Sequence, residues 1–225
     1  MFTIFSYYLS KIIFINMGYL IVFLYLGLCY LVLTFIKYRF NISGSVTRKI
    51  MHFVSCMSVF IINHFYLNTI HMLIIPMILL LINIIILKYD MCTIMNRSIK
   101  HYGAIYFMLT IITSQILVFC NEYFLIPANF SLIVLAFGDG SSGLFGSIIK
   151  SNFILTKHKS LIGLISFILF SFVGMFIYNT NVGVLSIINI LLISVTCSII
   201  ELLTEKGLDN FTVYYICMAL VIALI

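Results

Sequence analysis

Eight apolar runs separated by short polar breaks take up most of this chain, and they fix what it can fold into. In order they are Ile12–Ile36, Ile50–Tyr66, Ile70–Leu87, Gly103–Cys120, Ala128–Ile149, Leu161–Tyr178, Val182–Leu203 and Phe211–Ile225. A helix crosses the hydrocarbon core of a bilayer with about 20 such residues, so eight crossings use roughly 160, out of 225 in the chain. The last run is short for a crossing, and without it the count is seven. Hydrophobic residues make up 64% of the chain and charged ones 8%, where soluble domains carry about 45–50% and about 25%. A water-soluble globule of this size has no core large enough for that surface. The composition therefore excludes a soluble enzyme, a disordered chain and an ordinary nucleic-acid binder. The expectation is an all-α, polytopic membrane helical bundle of seven or eight transmembrane helices, with residues 1–225 forming a single integral membrane domain. The first eleven residues are aromatic-rich and the run behind them is long enough to span, so no cleavable signal is read there.

Charge placement gives the orientation. Lys37, Arg39, Arg48 and Lys49 follow the first run, and Lys88, Arg97 and Lys100 the third. Lys150, Lys157 and Lys159 follow the fifth, and Lys206 the seventh. Eleven of the twelve basic residues thus share one side, with Lys11 alone opposite. Excess Lys and Arg marks the cytoplasmic face, which places the N-terminus outside or in a lumen. The expected membrane is the endoplasmic reticulum in a eukaryote and the plasma membrane in a prokaryote. The net charge of +6 is read as topology and anionic ligands rather than nucleic acid. The six cysteines show no CxxC spacing and read as small core residues.

Against that background three of the six acidic residues stand out. Asp139 lies well inside the fifth apolar run, in Phe137-Gly138-Asp139-Gly140-Ser141-Ser142-Gly143. Glu201 falls near the cytoplasmic end of the seventh run, and Asp209 with Asn210 at the start of the eighth. A carboxylate at membrane depth costs a few kcal/mol, so it needs a cation, a metal or a proton. A bland alternative is a carboxylate paired with a buried lysine or kept protonated. Gly138, Gly140, Gly143 and Gly146 weaken a continuous helix and allow close backbone approach. The expectation is a helix break whose exposed N–H groups suit a phosphate. The competing reading is a small-residue packing face through Ser142 and Gly146.

Two basic clusters belong to the same side. Arg48-Lys49-Ile50-Met51-His52 leads into the second run, with His52 about one turn from Arg48. Lys157-His158-Lys159-Ser160 leads into the sixth and is followed by Gly163. Taken singly, these are positive-inside anchors. Cations, carboxylates and glycines on one face together match what a nucleoside triphosphate requires: Lys and Arg for phosphates, and Mg²⁺ held by one or two carboxylates. The apolar runs offer walls for a long-chain substrate. No P-loop of the form GxxxxGK[ST] is present.

In this order, Arg48-Lys49-x-x-His52, Gly138-Asp139 with Gly146, Lys159-Ser160-x-x-Gly163, and Glu201 with Gly207-x-Asp209-Asn210 resemble the polyprenol kinase family. That family includes dolichol, phytol and farnesol kinases and CTP-dependent diacylglycerol kinases, and is related to the phosphatidate cytidylyltransferases. The resemblance covers about residues 48–225. It implies transfer of a phosphoryl group from a nucleotide, typically CTP, to the hydroxyl of a membrane lipid alcohol such as dolichol or phytol. It further implies that Asp139 and Asp209 hold Mg²⁺ with Glu201 and Asn210 in support. Arg48, Lys49, Lys159, Ser160, Gly138 and Gly140 would face the nucleotide. His52 is a candidate base for the lipid hydroxyl, with positioning and charge neutralisation doing most of the work. The chain departs from the family pattern at Ile162, where many members have an acid, at Leu164, where a small hydroxyl residue is common, and at Lys150, where a glycine is expected. A CTP-dependent diacylglycerol kinase or a cytidylyltransferase-like enzyme is the nearest alternative. An ion-coupled transporter ranks behind it, because such carriers show paired broken helices in two related halves and only one break is read here.

Overall fold

The structure, a computed structural model, describes residues 2–89, 103–149, 154–156, 159–204 and 207–225. Arg97, Lys100, Lys150, Lys157, His158 and Lys206 lie outside the described residues, and the side chain of Lys11 is likewise not described. Helices α1 (Phe2–Phe40), α2 (Gly44–Tyr66), α3 (His71–Tyr89) and α4 (Gly103–Cys120) come first. A 3-10 turn (Glu122–Phe124) leads into α5 (Leu125–Ile133), a π-helical segment (Val134–Asp139) and α6 (Gly140–Ile148). A small antiparallel pair, β1 (Ile154–Thr156) and β2 (Lys159–Ser160), precedes α7 (Leu161–Val182), α8 (Ile187–Leu203) and α9 (Asp209–Leu224).

This is a helical bundle. Backbone N–H and C=O groups have no water to bond in hydrocarbon, so a helix that satisfies them internally is the economical solution. Among the described residues five helical stretches are long and apolar enough to cross a membrane: Ile12–Phe40, Gly44–Tyr66, Gly103–Cys120, Glu122–Ile148 and Leu161–Val182. Residues His71–Ile86, Ile187–Leu203 and Asp209–Leu224 form shorter apolar helices. The outward surface is rich in Leu, Ile and Phe, notably along α1 and α3, which is compatible with a membrane setting.

Several ends differ from the sequence reading. Helix α1 runs past both expected limits, and α2 begins six residues before Ile50, which takes Arg48 and Lys49 into its first turns. Caps explain the ends that agree. Ser160 and Ser186 cap α7 and α8, accepting from the N–H groups of Gly163 (3.2 Å) and Asn189 (3.1 Å). Gly183 closes α7 with φ of 69°, the left-handed conformation that favours glycine, and donates to the Asn179 carbonyl at 2.7 Å.

The fifth run becomes the axis of the bundle. From Pro127 to Ser142 every residue except Phe137 is buried, as expected for a helix that is apolar or small on all sides. Helices α2, α4, α7, α8 and α9 surround it. Small residues set the closest approaches, since packing rather than water exclusion drives helix association in lipid. A Cβ on Gly163 would come within 3.2 Å of the Ser142 carbonyl, and one on Gly146 within 3.2 Å of Ser160 Oγ. The small-residue packing face is therefore present, on the α6–α7 contact.

Candidate functional site

The expected helix break at Gly138–Gly140 does not form. Residues 134–139 are π-helical and the chain passes straight into α6. Each π turn accommodates one extra residue, which turns everything beyond it by about 100° relative to an unbroken α-helix. The glycines make room for packing here instead of ending the helix. A Cβ on Gly138 would meet the Phe167 ring at 2.8 Å, so the glycine admits α7 at this point. A Cβ on Gly140 would meet nothing within 4 Å, which leaves space directly beside Asp139.

Asp139, only 3% exposed, is reached from three directions. From α2, Lys49 Nζ lies 2.7 Å from Asp139 Oδ1 and donates to the Asp139 carbonyl at 3.3 Å. One turn along the same helix, His52 Nε2 lies 3.7 Å from Asp139 Oδ2. From the other side come Glu201, at the end of α8, and Asp209, at the start of α9. One carboxylate oxygen from each of Asp139, Glu201 and Asp209 lies within 4.8 Å of the other two. Residues 62 positions apart or more thus converge with Asp139 at one end of the bundle.

Local structure accounts for each placement. Asp209 opens α9, where the helix dipole favours an anion. Glu201 sits at the negative end of α8, which disfavours it, and Lys159 offsets that penalty. Its Nζ lies 3.0 Å from Glu201 Oε1 and 4.0 Å from Asp209 Oδ2. It also donates to the carbonyls of Glu201 and of Thr204, the latter at 3.0 Å, and so satisfies the open end of α8. Gly207, with φ of 84°, makes the turn between α8 and α9. Asn210 donates Nδ2–H to the Gly103 carbonyl at 3.1 Å, fastening α9 to the start of α4.

Lys49 and Lys159, read as phosphate ligands, pair with the acids in this structure, and Ser160 caps α7. Arg48 is half-buried one turn before His52, and among the described residues it forms no ion pair. Phe107, which the sequence reading passed over as one apolar residue among many, packs its ring 4.1 Å from that of His52. Gly143 escaped a specific role as well. A Cβ there would stand 2.3 Å from Lys49 Cε, so the bare backbone of α6 is what lets the lysine stem cross it.

That contact makes a testable prediction. Gly143→Ala pushes the Lys49 stem aside and lowers stability by about 1–2 kcal/mol, as overpacking does. Thermal unfolding in detergent should show this loss in the wild-type background but not beside Lys49→Ala. An equal loss in both would mean that the strain lies elsewhere.

Three carboxylates face two ammonium groups, leaving one negative charge in excess. Oxygen-only donors in this number suit a hard divalent cation. Among the described residues, two buried polar atoms of this cluster, His52 Nε2 and Asn210 Oδ1, have no hydrogen-bond partner. Such atoms are costly to leave unmet, and both suit a ligand seated among these residues. No protein-family model, no curated protein and no solved structure matches this chain.

Proposed function

We propose that the protein is a membrane lipid kinase that transfers a phosphoryl group from a nucleoside triphosphate, CTP being the first choice, to the hydroxyl of an isoprenoid-type alcohol. The observation that carries this reading is the meeting of Asp139, Glu201 and Asp209 within 4.8 Å, with Lys49, His52 and Lys159 around them. The bundle would span the membrane seven or eight times, with this end on the cytoplasmic face, where nucleotides are found.

On this reading Asp139, Glu201 and Asp209 would hold Mg²⁺, which would supply positive charge to neutralise the phosphates. The ammonium groups of Lys49 and Lys159 turn from the carboxylates to the phosphates once the acids have another cation. Arg48, at the rim, draws the nucleotide in. The alcohol oxygen attacks the terminal phosphorus as its proton passes to His52 Nε2. An O–P bond forms, the bond from that phosphorus to the bridging oxygen breaks, and a nucleoside diphosphate leaves.

Purified protein in lipid nanodiscs, given Mg²⁺, each labelled nucleotide in turn, and phytol, farnesol, dolichol or diacylglycerol, tests this directly. The expected result is label from the terminal phosphate of CTP in the lipid, with CDP released. Release of pyrophosphate would favour a cytidylyltransferase, and no transfer with any pair would overturn the reading. Within the same assay Arg48→Ala should raise KM for the nucleotide about tenfold with kcat little changed, the signature of lost uniform binding. An unchanged KM would remove Arg48 from the site.

A further inference from the structure

Lys49 and Lys159 each meet an acid of the cluster, but their ammonium groups are held differently. That of Lys159 lies 3.0 Å from Glu201 Oε1 and also donates to the carbonyls of Glu201 and Thr204. Two of its three N–H groups thus serve the open end of α8, which an ion held among the carboxylates leaves as it is. Among the described residues, the Lys49 ammonium hydrogen-bonds to Asp139 alone, to Oδ1 at 2.7 Å and to the carbonyl at 3.3 Å. That carbonyl already accepts from Ser142 Oγ at 3.1 Å. The Lys49 side chain is 21% exposed, and a Cβ on Gly140, next to Asp139, would meet nothing within 4 Å. Lys49 therefore has a way out to water and only one residue to leave.

Charge separates the two lysines further. With both in place, the three carboxylates keep one negative charge in excess. A divalent ion in place of Lys49 leaves three negative charges facing Lys159 and the ion, and the site balances. A monovalent ion in that place leaves the excess as it was. It also has to displace an ammonium of equal charge whose tether supplies an effective concentration on the order of millimolar. Resting on the part of the kinase reading in which the three acids hold a divalent cation, we infer that Lys49 is the occupant this cation displaces, and the residue that keeps monovalent ions out. Lys159 stays on α8 until phosphate arrives. Asp139 is then never a bare buried charge, because Lys49 yields it only to an ion of twice its own charge.

Cation binding measured without any nucleotide tests this apart from turnover. The full chain, stripped of metal with a chelator, is placed in phosphatidylcholine nanodiscs and titrated with Mg²⁺ by calorimetry. Lys49→Met should bind Mg²⁺ about tenfold tighter than the wild type, since the ion no longer has a competitor. K⁺ should raise the unfolding temperature of this variant over an equal concentration of choline, whereas in the wild type the two should be equivalent. Isotope-coded acetylation of wild-type lysines, read by mass spectrometry, needs no variant and so decides even where Lys49→Met fails to fold. Mg²⁺ should raise labelling of Lys49 severalfold and leave that of Lys159 unchanged. Equal Mg²⁺ affinity in both proteins, or Lys49 labelling that does not rise, would overturn the displacement. Stabilisation of the wild type by K⁺ would overturn the exclusion of monovalent ions. Mg²⁺ bound by neither protein would overturn the inference together with the metal-holding site. A Mg²⁺-dependent rise at Lys49 in a protein that transfers no phosphate would instead keep the displacement and sink the kinase reading.

Discussion

Asp139→Asn and Asp209→Asn should each lower kcat for the proposed Mg²⁺-dependent lipid phosphorylation by at least about a hundredfold, the scale on which a preorganised electrostatic group contributes, while the protein still inserts and folds. Asparagine keeps the size of the side chain and one acceptor oxygen but removes the charge. The site then has two carboxylates against two lysines, with no excess negative charge left for a divalent ion. Lys49 is about a fifth exposed and can extend its ammonium toward water when Asp139 no longer holds it. Insertion and yield from membranes are measured beside lipid phosphorylation. Near-normal turnover in both variants would take these residues out of the chemistry. Loss of insertion in both would assign them to the fold.

Lys49→Met is the second large effect, and here the readout is stability. The substitution leaves the Asp139 carboxylate, 3% exposed, without its nearest cation. Breaking a buried pair costs about 3–5 kcal/mol, and the partial exposure of Lys49 puts the expected loss at about 3 kcal/mol. The double substitution Lys49→Met with Asp139→Leu should recover most of it, because a buried ion pair replaced by apolar side chains is often neutral. The cycle is read from thermal or denaturant unfolding in detergent. A double variant no more stable than Lys49→Met alone would mean that the two side chains are not coupled. In either case the double variant is expected to be inactive, which separates what the pair does for the fold from what the carboxylate does for the reaction.

Helix identity and approximate position were legible because in lipid each crossing must be apolar along its length, a property of consecutive residues. The three acids were legible for the same reason, as departures from a nearly uncharged background. Less could be read where the outcome depended on which neighbour arrived. Four glycines around an aspartate read as a break, yet Gly138 and Gly143 are there to admit Phe167 and the Lys49 stem, which belong to other helices. Lys159-Ser160-x-x-Gly163 read as one phosphate motif and divides into a counterion for Glu201 and a helix cap. Phe107 carried no signal at all, since one phenylalanine in an apolar run differs from its neighbours only by what it touches.

The sequence by itself determined that the chain is a bundle of apolar helices with three acids to be accounted for. Hydrophobicity and charge are local properties, legible residue by residue. Only the tertiary structure decided that Asp139, Glu201 and Asp209 meet and that Lys49 and Lys159 pair with them. Those outcomes depend on how helices distant in the chain pack, and packing is set by shape complementarity across contacts that no stretch of sequence contains on its own.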